Sequence, residues 1–588
     1  MKITPFYKKN VLHYAKELKA LKKQLFLLSL IRFAVFLLSF YMAYKLSATP
    51  RYAVTTFVIS IAVFLFLVAR YVDLLAKKDK IQALKVINEL ELDVINGNIS
   101  KLDLGSEFIN PQHYYSYDID LFGTKSFFQY LNRTATQAGK QKLADLLTAN
   151  DIIAIENKQK AIQELSNKRD WMHEFRAVAS LIKTEISLND LVLWIDNYKS
   201  FLPKLMRFLP MIFSLITILL AVAMYFQLVP NTYFYIWFTL GLILTGKYLK
   251  KLNTLYFKVS KLKDTFVQNH QLIKLIEEES FQSDFLKNKK QQIQEKDKKA
   301  SEILAMFSKA LEAFDYRNNI IFAIFGNGLF LWDLKQAYRI EQWLETYNEK
   351  VADWFDVIAY FDAQISLANY TFNHQNYVFP IINNDKVCIV AQDLGHPLLK
   401  TAQRVDNDFS IANNDFFIIT GANMAGKSTF LRTVSLSIIM ANVGLPVCAK
   451  SMQYNPIKLI TSMRTSDSLS DDESYFFSEL KRLKFIVDNI AKERYFIILD
   501  EILKGTNSTD KAVGSYKFIK RLLTTKATGI IATHDLSLCE ITKTLPQVKN
   551  HYFDAEIIND ELHFDYTFKN GICQNMNASF LLKKMEIV

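Results

Sequence analysis

At 588 residues the chain is too long for a single hydrophobic core, which sets an expectation of roughly two to four domains. Four cysteines with no C-x-x-C pair speak against a disulfide framework or a structural zinc site, and for a reducing compartment. The net charge of +12 invites nucleic acid as a partner, but the lysines cluster beside apolar runs, which is first the signature of a membrane protein.

Residues 1–24 form a basic N-terminus, with seven lysines against one acid, Glu17. Leu25–Tyr44 and Tyr52–Ala69 follow as two apolar runs, read as a transmembrane hairpin over residues 25–72. A crossing helix needs about 20 residues. Arg32 opposes insertion by about 2.5–3.5 kcal/mol, while the twelve Leu, Ile, Phe and Val residues around it return about 4–7 kcal/mol. A cleavable signal is disfavoured, because no small-residue cleavage site follows and a second span comes at once.

Residues 73–205 carry Leu, Ile and Phe at three- and four-residue spacings and read as the first part of a helical core. Phe208–Val229 and Asn231–Gly246 are again uncharged and form an expected second hairpin over residues 206–249, with Lys247 placed to snorkel. Residues 250–374 return to helical spacing as a second core or lever segment. Within it the run 287–299 (KNKKQQIQEKDKK) reads as a solvated helix face. Lysines precede the first run and follow the second, Lys204 and Arg207 precede the third, and Lys247, Lys250 and Lys251 follow the fourth. This sets an expectation of a multi-pass protein of the cytoplasmic membrane, with four transmembrane helices and both termini in the cytoplasm. The competing reading is two buried helical hairpins of a soluble domain.

From residue 375 to 588 short β-rich runs alternate with helical ones, as in a doubly wound α/β domain. Strands are expected at Val387–Ala391, Phe416–Thr420, Tyr495–Leu499 and Gly529–Thr533. The second runs into 421–429 (GANMAGKST), a full G-x-x-x-x-G-K-[ST] loop between strand and helix. Gly421 and Gly426 permit a tight wrap that points backbone N–H groups at phosphate, Lys427 reaches the β/γ phosphates, and Ser428 ligates Mg²⁺. The third strand delivers Asp500 for the Mg²⁺ shell and Glu501 to activate water. The fourth ends at His534, where a γ-phosphate sensor sits in ABC-type ATPases. The expected fold is thus multidomain: a helical core with two transmembrane hairpins, and a C-terminal α/β P-loop ATPase domain of ABC type using ATP and Mg²⁺.

These motifs resemble those of the DNA mismatch repair MutS family. Thr420–Thr429 matches its phosphate loop, including Asn423 and Met424. Asp500–Asp510 (DEILKGTNSTD) resembles its Walker B segment, and Ser474–Leu480 (SYFFSEL) its signature helix, not the Leu-Ser-Gly-Gly-Gln of transporters. Gly395–Pro397, Gly571–Ile572 and Asn577–Ala578 also match, and Leu121–Leu147 resembles the start of the family's helical core. The resemblance implies nucleotide contacts from Gly421, Asn423, Met424, Gly426, Lys427, Ser428 and Thr429. It also implies a head-to-tail homodimer in which Ser474 completes the partner's site in trans, and it implies DNA as a partner. Ala422, Ala425, Leu503 and Lys504 depart from the family pattern. Nothing before residue 115 resembles the mismatch-reading domain or its Phe-x-Glu wedge. The functional expectation is a membrane-anchored ATPase acting on mismatched, damaged or branched DNA. The alternatives are an ATP-driven membrane scaffold without DNA binding, or an ABC-type transporter component.

Overall fold

The computed structural model describes residues 3–46, 50–182, 188–294, 298–383, 386–464, 475–558 and 561–574. It opens with two helices packed along one another, α1 (Ile3–Lys45) and α2 (Pro50–Ile95). At 1.5 Å per residue each is roughly 65–70 Å long, about twice the thickness of a bilayer's hydrocarbon core. Their tips leave Phe33, Phe36, Leu37, Leu65 and Phe66 exposed, while their bases dock on the rest of the chain through Leu18, Leu21, Ile81, Leu84 and Ile87. Among the described residues these two helices are long and apolar enough to cross a membrane. Arg32 lies 4.0 Å from the centre of the Tyr71 ring, a cation–π contact that offsets part of its desolvation.

The core helices follow in order: α3 (Phe127–Leu131), α4 (Gln137–Thr148), α5 (Ile155–Asn167), α6 (Arg169–Ala179), α7 (Leu188–Asp196), α8 (Leu209–Tyr225), α9 (Asn231–Val259), α10 (Lys263–Glu278), α11 (Asp284–Gln291), α12 (Ala300–Asp315), α13 (Ile320–Phe330) and α14 (Trp332–Asn373). The four-span expectation is only half met. Helix α8 has 17 residues, and α9 runs through Lys247, Lys250 and Lys251 without a break. Tyr233, Tyr235, Trp237 and Thr239 dilute the apolar part of α9, so this pair falls short of the standard that α1 and α2 meet.

Helix α14 is the spine. Its apolar residues recur at helical spacing and bury Trp354, Val357, Phe361 and Ile365 against α4, α5, α7 and α12. Rings stack where it crosses α12, with Phe307 and Trp343 centroids 4.1 Å apart. Asp362, fully buried on this spine, accepts hydrogen bonds from the Ala135 and Thr136 backbone N–H groups and from the Thr136 hydroxyl. It thereby anchors the N-terminus of α4.

The C-terminal domain has two sheets. One is ordered β1 (Ile381–Ile382), β5 (Ser451–Tyr454), β2 (Val387–Leu394), β3 (Asn407–Ala412). The other is ordered β12 (Lys569–Asn570), β9 (Val548–Phe553), β4 (Phe416–Gly421), β8 (Thr528–Ala532), β7 (Tyr495–Asp500), β6 (Lys458–Ser462), and is parallel except at β12. Short strands β10 (Glu556–Ile558) and β11 (Glu561–His563) pair separately. Helices α15 (Lys427–Val443), α16 (Tyr475–Ile490) and α17 (Ser508–Thr524) complete the domain. Strands β4, β7 and β8 are buried on both faces, as parallel strands covered by helices must be. One apolar cluster joins Phe417, Ile419 and Ile498 of this sheet to Phe128, Leu143 and Ile162 and to Ala363, Leu367 and Tyr370 of α14. The end of the spine is therefore built into the α/β domain across residue 374.

Candidate nucleotide-binding site

Three strand ends converge at one edge of the parallel sheet. Strand β4 stops at Gly421, whose φ of 147° belongs to the left-handed half of conformational space. A Cβ there would come within 2.5 Å of the Phe553 carbonyl oxygen, so the position requires glycine. Gly426, at φ 103°, caps α15 and lies under the Tyr566 ring. Between them Met424 holds a positive φ of 68° and is 79% exposed. The loop thus wraps back on itself at the N-terminus of a 17-residue helix, where backbone dipoles favour an anion.

Lys427 lies across this loop. Its Nζ donates to the carbonyls of Gly421 and Ala422 at 2.7 and 2.8 Å. Burial pulls its ammonium below the ordinary range, opposed by Asp500 and Glu501. The Ser428 hydroxyl donates to Asp500 at 2.8 Å. Burial raises the Asp500 carboxyl, with the Ser428 hydrogen bond acting against it. Glu501 follows at φ 48°, an uncommon conformation for a non-glycine residue, which turns its side chain away from the strand. Its Oε1 lies 3.0 Å from His534 Nε2 and its Oε2 lies 3.4 Å from Lys504 Nζ. The His534 hydrogen bond, then the charges of His534 and Lys504, outweigh burial and hold Glu501 at about 2. His534 Nε2 is also 3.3 Å from Lys427 Nζ. A hydrogen on Nε2 serves the shorter contact to the carboxylate, while Lys427 is satisfied by its two carbonyls.

These groups face a cavity of about 540 Å³. Asn423, Met424, Gly426, Lys427, Ser428, Thr429, Asp500, Glu501 and His534 line it, so the structure brings these residues together. Gly421 lies beneath, contributing its carbonyl to Lys427. Ser474 lies outside the described residues. The next part of the signature helix is placed: Glu479 of α16 is buried and accepts hydrogen bonds from the backbone N–H groups of Leu503 and Lys504. It ties α16 to the segment after Glu501.

The far wall was not anticipated. His396, Arg404, Asn407, Phe553 and Tyr566 come from distant points of the chain to close the cavity. Burial, then Arg432 and Arg404, pull His396 down to about 4, which keeps its ring neutral. Arg404 is clamped by Asp406 through Nε–Oδ1 at 2.5 Å and Nη2–Oδ2 at 3.1 Å. The Asn407 side chain donates to the Tyr566 carbonyl and accepts from the Phe568 N–H. Of this wall only His396 had a sequence signal, in the G-H-P motif. The wall offers a neutral ring and an aromatic opposite the anion-favouring loop, a suitable lining for a flat heteroaromatic base.

The Ser428–Asp500 pair also fits a hard cation. Both donors are oxygens, and no group of three metal-ligating side chains exists among the described residues. Mg²⁺ suits such a site, because it takes most of its ligands from water and phosphate.

Residues 417–584 match the family model "MutS domain V". The chain is 33% identical over 207 residues to the human MutS protein homolog 4, covering 33% of this chain and 21% of that protein. It is 32% identical over 234 residues to the DNA mismatch repair protein MutS of Desulfatibacillum aliphaticivorans, covering 38% and 26%. It is 30% identical over 237 residues to that of Flavobacterium psychrophilum, covering 38% and 27%. The matched stretch therefore spans about a quarter of the length of these relatives. Residues 417–584 thus form a MutS domain V, the part of the chain that these relatives share.

Proposed function

We propose that the chain is a membrane-anchored, MutS-like ATPase that binds and hydrolyses ATP with Mg²⁺ in a head-to-tail homodimer and acts on DNA in repair. The observation that carries the reading is the placement of Glu501. It stands ionised at the end of β7, between His534 and Lys504, beside a phosphate-type loop and the Ser428–Asp500 oxygen pair.

In this reading Lys427 exchanges its two carbonyl partners for phosphate oxygens, and the Gly421–Gly426 loop supplies backbone donors. Ser428 and Asp500 hold Mg²⁺, which when bound neutralises phosphate charge. Glu501 orients the attacking water and accepts its proton, and His534 keeps Glu501 ionised and positioned. Glu479 transmits any shift of the Leu503–Lys504 segment to α16, whose preceding residue Ser474 completes the partner's site. Helices α1 and α2 cross the membrane, with the lysines of residues 1–24 on the cytoplasmic side.

The test is ATP hydrolysis by the detergent-purified full-length protein, with Glu501→Gln as the blank. It is run without DNA and with perfect, mismatched and branched duplex at two salt concentrations. A DNA effect that fades with salt supports the reading, and the ranking of substrates names the signal. Turnover indifferent to every DNA favours an ATP-driven membrane scaffold. That second reading draws its support from α2, which runs unbroken from the membrane side into the buried core beside α14.

A further inference from the structure

Helix α13, with the sequence IIFAIFGNGLF, lies in the stretch that the sequence reading assigned to a soluble lever. Ile320, Ile321, Ile324 and Phe325 are 44–73% exposed on it, which leaves an apolar face open to the surroundings. The helix does not stand alone. A Cβ on Gly241 of α9 would lie 2.6 Å from the Gly328 carbonyl oxygen, so the two backbones touch. The Thr217 hydroxyl of α8 lies 2.8 Å from the Leu329 carbonyl and accepts from Trp237 Nε1 at 3.0 Å. The Phe238 and Phe325 rings pack 5.8 Å apart. Helices α8, α9 and α13 are one apolar bundle. Met211, Leu215, Leu219, Ile236 and Ile243 continue its exposed face.

Several of the polar groups at the ends of α13 are paired within the protein. The Asn319 side chain accepts from the N–H groups of Ile321 and Phe322. The Leu331 N–H reaches the carbonyls of Asn327 and Gly326, and Asn327 Oδ1 accepts from the Asp333 N–H. Arg317, at the base, turns inward to Asp333 at 3.2 Å and donates to the Leu252 carbonyl. Such closure is what a helix end in a low-dielectric medium requires. Eleven residues make roughly 16 Å, about half the hydrocarbon thickness, and the chain then returns at once as α14. The bundle is bordered by the exposed cations Lys204, Arg207, Lys247, Lys250 and Lys251, a complement to anionic headgroups.

We propose that α13 is a re-entrant helix seated among the acyl chains of the cytoplasmic leaflet, beside α8 and α9. The inference rests on the membrane reading above. It places α13, at the head of the α14 spine, in the leaflet, joined through 42 helical residues to the α/β domain.

The test uses the full-length protein in vesicles of phosphatidylcholine and phosphatidylglycerol containing brominated acyl chains. An environment-sensitive fluorophore is placed by Ile324→Cys, Phe325→Cys, Leu219→Cys or Met306→Cys. The four native cysteines are buried and stay in place. Met306, exposed on α12, reports solvent. The expected result is loss of fluorescence at positions 324 and 325 matching that at 219, with none at 306. Loss at 219 alone overturns the inference and leaves the membrane reading standing. Loss at none of these positions overturns the inference, and the membrane reading falls with it only if a fluorophore placed by Phe36→Cys on α1 also keeps its fluorescence. Protection of 324 and 325 from lipid, with cross-linking between copies at 324, assigns the face to a second copy and also overturns the inference.

Discussion

Glu91, near the end of α2, and Arg133, on the link between α3 and α4, form an ion pair of 2.8 Å although both are almost completely buried. Arg176 of α6 joins them at 3.1 Å, and Asn369 and Asn373 of α14 donate to the same carboxylate. The base of the α1–α2 hairpin is therefore locked to the lower end of the spine, close to where the α/β domain begins.

Removing this carboxylate leaves two guanidinium groups buried without a counter-charge. Glu91→Ala is expected to destabilise the protein by about 3–5 kcal/mol. Thermal unfolding in detergent, followed by circular dichroism, reads the loss. Burial raises the Glu91 carboxyl, but Arg133 and Arg176 outweigh it and hold it at about 2. Because the folded value lies below the unfolded one, the stabilisation is present above about pH 4.5. It disappears as the pH falls towards 2.

Asp362 carries the opposite slope. Burial raises its carboxyl to about 6, against the hydrogen bonds from Thr136 and Ala135. The folded state then binds the proton more tightly than the unfolded chain, whose value is 3.8, so stability falls as pH rises between these values. Asp362→Asn, which keeps an acceptor for α4, is expected to flatten that part of the stability–pH curve. An unchanged slope in denaturant titrations at several pH values would show that another group carries it.

Lys427→Ala removes the only cation in contact with the Gly421 and Ala422 carbonyls among the described residues. A charge-assisted hydrogen bond contributes about 1.5–3 kcal/mol, so ATP affinity is expected to drop at least about 10–100-fold. Equilibrium binding of a fluorescent ATP analogue measures it. Unchanged affinity would remove the phosphate-loop assignment.

Glu501→Gln is expected to lower turnover by about 10²–10⁴-fold while ATP still binds. A closed dimer should then accumulate on size exclusion in the presence of ATP, and wild-type turnover would end the proposed role of Glu501. Lys504→Met removes one of the charges that keep Glu501 low. The acid limb of the turnover–pH profile is expected to move to higher pH, because a less stabilised carboxylate protonates sooner as the pH falls.

Much of the loop chemistry was readable along the chain. Phe416–Thr420, Tyr495–Leu499 and Gly529–Thr533 were expected as strands and coincide with β4, β7 and β8 to within a residue or two. Their uninterrupted apolar runs can be buried only as central parallel strands. The Gly421 and Gly426 conformations are equally local, since φ values of 147° and 103° require glycine wherever the loop is placed. The second hairpin falls short of two full spans. Hydrophobicity along one dimension does not distinguish a helix that spans from one packed on its neighbours, and Phe213 and Thr217 are buried by α9 and α13.

What the sequence by itself determined is the loop edge of the parallel sheet, because a glycine-framed loop and a strand-terminal acid pair are set by a few contiguous residues. Only the tertiary structure decided the opposite wall and the lock on the hairpin. His396 and Tyr566 line one cavity, and Glu91 meets Asn373, across separations that no local pattern encodes. Burial, then Arg432 and Arg404, keeps the His396 ring neutral, and Arg133 and Arg176, brought together by the fold, keep the buried Glu91 carboxylate charged.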